Sequence, residues 1–315
     1  MIFKNKIFTV VFFFVHINAS YVSIELSGGR MGDCLMGVMY TLWAAFKTGA
    51  NAAYNPFPYA DRFVFSQKLT CVPDISDYKM VYSRELSFVN KNKNRHYIFP
   101  YFSQVYQERR YPWNNWINMD IDWEHPEFRK LLKSMIVPIN NLNLVQSPKN
   151  CTTVAIHWRR GGKYEGETIL FGEINNTANA DQYIDYIFGL KFPPKEFYVD
   201  SLDKLSNFLE KKPLYVYLFT DDHNPKMLVD YLKDSLLAHD NITFDYRQAN
   251  NSENNNVVED FFSLLNFDCI IHSLSSFSIA ASKIGDFKID IYPEEQHWEG
   301  NKSIIDLTRW VMRNI

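Results

Sequence analysis

The stretch Thr153–Glu167 reads Thr-Val-Ala-Ile-His-Trp-Arg-Arg-Gly-Gly-Lys-Tyr-Glu-Gly-Glu. It opens as a short apolar run, the pattern of a strand buried on both faces in a parallel sheet. His157, Arg159, Arg160 and Lys163 follow just beyond the strand's end. In an open α/β sheet, ligands bind outside the carboxyl ends of the strands. Two arginines and a lysine gathered there suit a phosphate or pyrophosphate, because a guanidinium binds such oxygens in bidentate fashion. The paired Gly161 and Gly162 let backbone approach a ligand closely, and Glu167 follows within reach of the same place. The plain alternative is a strand that ends in a solvated basic turn.

Downstream of this stretch the pattern is regular. Helices are expected around Gln182–Phe188 and Leu202–Lys211. Leu214–Phe219 is a continuous apolar strand that ends in Thr220-Asp221-Asp222. Asn224–Leu237 follows as a helix, with Pro225 suited to its first turn. Strands are expected at Ile242–Tyr246, Asp268–His272 and Phe287–Tyr292. Helices are expected at Val257–Phe267, Ser275–Ile284 and, amphipathic and last, Ser303–Ile315. Strands alternating with helices across short turns specify a parallel, Rossmann-like sheet.

Upstream, Tyr21–Leu26 reads as a strand, Ser27–Gly32 as a glycine turn and Asp33–Phe46 as a helix ended by Gly49. Ser27-x-Gly29-x-x-Gly32 nearly matches a dinucleotide fingerprint, but no acidic residue stands about twenty positions later. A turn that permits close helix packing explains it equally. Between Pro56 and Lys149 short apolar segments alternate with aromatic, proline-broken ones. Asp120-Ile-Asp122 has the look of a metal-binding pair, yet no strand clearly precedes it and a structural role is the simpler reading. His125-Pro-Glu127 starts a helix, and the polar 140–149 segment reads as a linker. The division expected is 1–20, 21–145, 151–300 and a C-terminal helix at 301–315.

Composition narrows the class. The 315 residues are 46% hydrophobic and 22% charged, ordinary for a globular chain of two-domain length. A formal charge of −3 supplies no basic field, so no nucleic-acid partner is expected. Cys34, Cys71, Cys151 and Cys269 form no Cys-x-x-Cys pair, which disfavours structural zinc. Residues 1–20 combine a basic start, the apolar run Ile7–Val15 and the small Ala19 and Ser20. That is the pattern of a signal peptide, with an N-terminal signal anchor as the other reading. Either one implies the secretory pathway lumen (Golgi/ER) or secretion. No later stretch reads as a membrane span.

Three strand ends in the second half carry polar clusters. They are His157/Arg159/Arg160/Lys163, Asp221/Asp222 and His272/Ser273/Ser275/Ser276. Parallel strands bring all three to one edge, where they can surround one nucleotide. Singly, Asp221, Asp222 and Ser275 could each be no more than helix caps.

With those motifs in hand, the second half resembles the nucleotide-binding domain of the α1,2/α1,6-fucosyltransferase superfamily. His157-Trp-Arg-Arg160 matches its His-x-Arg-Arg motif. Lys163 and Glu167 match the spacing of the α1,6 branch. Tyr215–Asp222 matches its apolar strand ending in Thr-Asp-Asp, and Asp260 through Ser275-Ser276-Phe277 matches its last helix–strand–serine segment. Gly162 departs from the acidic residue usual after Arg-Arg-x. The resemblance implies a GT-B fold, two Rossmann-like domains facing a cleft, and inverting transfer of fucose from GDP-fucose to a glycan hydroxyl without a metal or other cofactor. It assigns Arg159 to the β-phosphate, helped by Lys163, with Ser275 and Ser276 donating to phosphate. It places Asp222 and Asp260 at guanine or ribose and makes Glu167 the base. His157, Arg160, Asp221 and Tyr183 complete the donor site. A catalytically silent GT-B binding protein, and a transferase for another nucleotide sugar, are the competing readings.

Overall fold

Two sheets organise the chain. The computed structural model describes residues 19–25, 29–83, 85–100, 119–160, 190–249, 251–252, 254–299 and 302–313. The first sheet holds β1 (Tyr21–Ile24), β2 (Asn51–Tyr54), β3 (Thr70–Cys71), β4 (Lys79–Tyr82) and β5 (Arg95–Phe99), in the order β3-β2-β1-β5-β4. All its pairings are parallel. The second holds β6 (Thr152–Trp158), β7 (Leu214–Thr220), β8 (Ile242–Tyr246), β9 (Cys269–His272), β10 (Ile289–Glu299) and β11 (Lys302–Met312), in the order β11-β10-β9-β6-β7-β8. Its pairings are parallel except β10 with β11. The expected two Rossmann-like halves facing a cleft are therefore present.

Local chemistry explains the element that joins them. Helix α1 (Met31–Thr48) repeats Leu35, Val38, Met39 and Leu42 at helical spacing, and all four are buried. Burying each such side chain stabilises the fold by roughly 1.5–3 kcal/mol. Asp33 in its first turn and Lys47 in its last complement the helix dipole. Gly49 ends it at φ 69°, a left-handed conformation that glycine adopts without steric cost, and donates its N–H to Ala45 O at 2.8 Å.

Among the described residues the other α-helices are α2 (Phe65–Lys68), α3 (Pro126–Met135), α4 (Lys195–Phe208), α5 (Pro225–Ser235), α6 (Val257–Leu264) and α7 (Ser276–Ile284). The first-domain residues Leu35, Met39 and Phe63 share one continuous core with Phe219, Phe261 and Ala280 of the second. A separate core on the other face of the second sheet includes Ile156, Leu202 and Leu232. Helix α7 is gripped at both ends. At its start, a Cβ on Gly32 would sit 2.7 Å from Phe277 Cα and 2.9 Å from the Ser276 carbonyl carbon, so only glycine allows this approach of α1 to α7. At its end, Arg129 of α3 donates to Lys283 O at 3.1 Å and Gly285 O at 3.0 Å, and pairs with Asp286 at 3.1 Å. Those carbonyls belong to a helix's last turn and need outside donors.

The structure corrects the C-terminal helix expected at 301–315: residues Lys302–Met312 form β11. The run Ser303–Met312 is rich in β-branched and aromatic residues, and Gly300-Asn301, a dipeptide suited to a two-residue hairpin, precedes it. Strand β10 accordingly runs past the expected Tyr292, and only Ile289–Ile291 of it pair with β9. Helix α4 begins at Lys195, ahead of the expected Leu202, directly after Pro194. The 140–149 segment has no regular structure but is not loose. Leu142 and Leu144 pack on the shared core, and Val145 N–H donates to Ser263 Oγ at 3.0 Å. Asp120 sits at φ 44°, and Asp122 Oδ1 accepts the Glu124 N–H at 3.1 Å, a turn role. The four cysteines are unbridged. Among the described residues no helix is long and apolar enough to cross a membrane. The expected leader lies outside them up to residue 18, as does the helix expected at 182–188.

Candidate active site

Strand register brings the three clusters level. His157 of β6 lies opposite Phe219 of β7 on one side and His272 of β9 on the other, and Trp158 lies opposite Thr220. The residues that follow each strand therefore leave the sheet at the same edge. A cavity of about 290 Å³ opens there between the domains. His157, Arg159, Asp221, Asp260, Ser275 and Ser276 all line it.

Arg159 reaches across the edge and donates from Nη1 to Ser275 Oγ at 3.0 Å, while its guanidinium stacks 5.4 Å from the Phe192 ring centroid. Stacking on an aromatic face holds a guanidinium in one orientation without consuming its donors. Ser275 stands at the N-cap position of α7 and Ser276 begins the helix, so the free N–H groups of that first turn face the same space.

His157 is not part of the positive charge. Burial drives its imidazole down to about 3; Asp221 opposes the shift, and His272 and Arg159 reinforce it. At neutral pH it is an uncharged ring stacked on Phe277, 5.1 Å between centroids. Its Nδ1 is buried and finds no hydrogen-bond partner among the described residues. A buried polar atom of this kind is unusual in a native fold.

The acidic residues divide. Asp221 Oδ1 accepts the Arg160 backbone N–H at 2.6 Å, and its Oδ2 lies 3.6 Å from Arg30. Asp222 and Arg160 stand behind it and do not line the cavity. Asp222 accepts the Asn224 N–H at 2.8 Å just before α5, and Arg160 Nε lies 3.5 Å from Asp222. Asp260, in the first turn of α6, lines the cavity with its carboxylate held by the Arg247 guanidinium. Burial raises the Asp260 carboxyl above its ordinary value, against the pull of Arg247. Lys163, Glu167 and Tyr183 lie outside the described residues.

Residues that local pattern did not single out complete the walls. Gly29, Arg30 and Asp33 enter from the first domain, and Asp33 Oδ1 accepts a hydrogen bond from Ser276 Oγ. Tyr59, at φ 74°, donates its hydroxyl to Asn254 O at 3.2 Å and closes another side. The glycine turn at Ser27–Gly32 was the available signal for the first group. The asparagine-rich 250–256 run offered none. Lys191 stands next to Phe192. Burial brings its ammonium down to about 8, reinforced by Arg159 and Arg30 and opposed by Asp33. Among the described residues no group of His, Cys, Asp and Glu has the arrangement to hold a metal ion.

No protein-family model matches the sequence, and a search of curated proteins found no relative. Solved structures do match. An arginine-to-lysine mutant of FUT1 from Arabidopsis thaliana, in complex with GDP, aligns at a TM-score of 0.55 with 10% identity, covering 90% of this chain and 71% of that one. The fucosyltransferase NodZ from Bradyrhizobium aligns at 0.45 with 11% identity, covering 94% and 99%. POFUT1 in complex with GDP-fucose aligns at 0.43 with 10% identity, covering 86% and 96%. The first of these, with its TM-score of 0.55, shows that the chain shares the two-domain Rossmann-like fold of that FUT1 structure.

Proposed function

We propose that this protein is a glycosyltransferase that moves fucose from GDP-fucose to a glycan hydroxyl with inversion, without a metal. The observation that carries the reading is Arg159. It is a stacked, serine-anchored guanidinium at the strand-end edge, aimed into a cavity whose wall includes the N-terminus of α7. That pairing of a fixed cation with free helix N–H groups suits a diphosphate. The β-phosphate of GDP sits at Arg159, and the developing charge of the leaving GDP is met there. Asp260, at the far wall, accepts from guanine N–H groups or a ribose hydroxyl. A protein of the same fold binds GDP, which supports the nucleotide.

Gly162, where fucosyltransferases usually carry an acid, supports a second reading, a GT-B protein that binds nucleotide without turnover. Calorimetry and thermal shift against GDP, UDP and CMP test the nucleotide, since a ligand that binds only the folded state raises its stability. GDP is expected to bind and to raise the melting temperature more than UDP or CMP. Release of GDP from GDP-fucose, with water or a glycan as acceptor, separates the two readings. Absence of GDP binding would overturn the first reading, and absence of binding to all three nucleotides would overturn both.

A further inference from the structure

We infer that Asp33 of the first domain is the general base of this site. The inference rests on the GDP-sugar transfer reading above. Among the described residues three carboxylates line the cavity: Asp33, Asp221 and Asp260. Two are committed. Asp221 is held by the Arg160 backbone N–H and by Arg30, and Asp260 by the Arg247 guanidinium. Asp33 differs in that, among the described residues, no basic side chain pairs with it, and its one hydrogen bond comes from the neutral Ser276 hydroxyl to Oδ1. Oδ2 makes no hydrogen bond among the described residues and lies against Gly29, where a Cβ would collide with it, so the missing side chain leaves it the room to meet a substrate proton. A carboxylate oxygen turned to a guanidinium or a backbone N–H is not turned to a substrate hydroxyl. A carboxylate held by one hydroxyl is oriented, and its other oxygen has no cation on it.

The placement fits the reaction. Asp33 and Arg159 are tethered to consecutive serines at the start of α7, Ser276 and Ser275, but face the cavity from different domains. In an inverting displacement the nucleophile enters opposite the leaving group. The acceptor oxygen forms its bond to C1 of fucose and gives its proton to Asp33. The C1–O bond to the β-phosphate breaks, and its electron pair leaves on GDP, where Arg159 meets the charge. Asp33 then returns the proton to solvent. A carboxylate contributes nothing to holding a diphosphate, which distinguishes this role from donor binding.

The test uses the full chain, GDP and GDP-fucose, with water as the acceptor of last resort. Asp33→Asn keeps the shape and can still accept from Ser276. Donor consumption should fall by about 100- to 10,000-fold, the usual worth of a general base. GDP affinity should stay within about twofold or tighten, since a negative charge beside the diphosphate has gone. Unchanged turnover overturns the assignment. So does a parallel loss of GDP affinity and turnover, or a raised KM for GDP-fucose at unchanged kcat, which would mark a contact to a sugar hydroxyl. Glu167→Gln serves as the rival arm, and collapse there with Asp33→Asn fully active gives the base to Glu167. Wild-type protein that binds no GDP or consumes no donor overturns the transfer reading together with this one. Equal turnover by wild type and Asp33→Asn overturns only the role of Asp33.

Discussion

The two walls of the cavity are built differently. The second-domain wall comes from strand ends: β6, β7 and β9 are apolar, buried and in register, and the polar residues that follow them have one place to go. The first-domain wall comes from a turn and the first turn of a helix, Gly29 to Asp33, positioned by the packing of α1 on α7. Strand ends are fixed by hydrogen-bond ladders within one domain. The turn is held by Cys34, whose N–H donates to Arg30 O at 3.1 Å and whose thiol donates to Gly29 O at 3.4 Å, and by docking against the other domain. Arg159, placed by β6, should therefore keep its position when the first wall is disturbed, whereas the start of α7, which meets Gly32 and Asp33 directly, should not.

The largest expected effect is on the second wall. Arg159→Ala should lower turnover by about 100- to 1000-fold even at saturating donor, because its contact strengthens as charge develops on the leaving group. Arg159→Lys should recover little, since an ammonium lacks the planar fork. Steady-state GDP release over a range of GDP-fucose concentrations decides this. If Arg159→Ala raises KM alone, Arg159 binds the ground state and the transition-state role is wrong.

An intermediate effect should come from the docking itself. Gly32→Ala places a methyl group against the backbone of Ser276 and Phe277, which cannot move away as a flexible side chain would. Overpacking of this kind costs about 1–3 kcal/mol. Chemical denaturation would read the loss. GDP affinity should fall as well, because Ser275 and Ser276 shift with α7. A variant as stable as wild type would show that the domains do not depend on this contact.

The smallest effect is a pH dependence. Lys191 is held down to about 8, chiefly by burial. Below that value it adds a positive charge beside Arg159, and above it the charge is lost. GDP affinity should therefore decline as pH rises through about 8, and Lys191→Gln should flatten the decline. Stability runs the other way. Between about 8 and the ordinary lysine range the unfolded chain binds the proton and the folded chain does not, so this residue's contribution becomes more favourable as pH rises. Calorimetry from pH 7 to 9.5 on both proteins checks the binding arm.

Much of this contrast was legible in the residues themselves. The apolar run before His157 and the run before Thr220 could only be buried strands, and from them the shared edge followed. Asp33 was not legible, because its partner Ser276 lies 243 positions away and no local period records such a contact. The neutrality of His157 was hidden for a related reason: a histidine beside two arginines reads as basic until its burial is known. The last element was misread because Ile304, Ile305, Trp310 and Val311 satisfy a helical stripe as well as a strand, and short apolar patterns are ambiguous between the two. The hairpin dipeptide at 300–301 was the signal that could have settled it.

Helix α7 has one end against Gly32 and Asp33 and the other in the grasp of Arg129, so it is bolted to the first domain although its sequence belongs to the second. It works as a dowel set into both domains, and Tyr59 ties them a second time at the cavity rim, where its hydroxyl donates to Asn254 O at 3.2 Å.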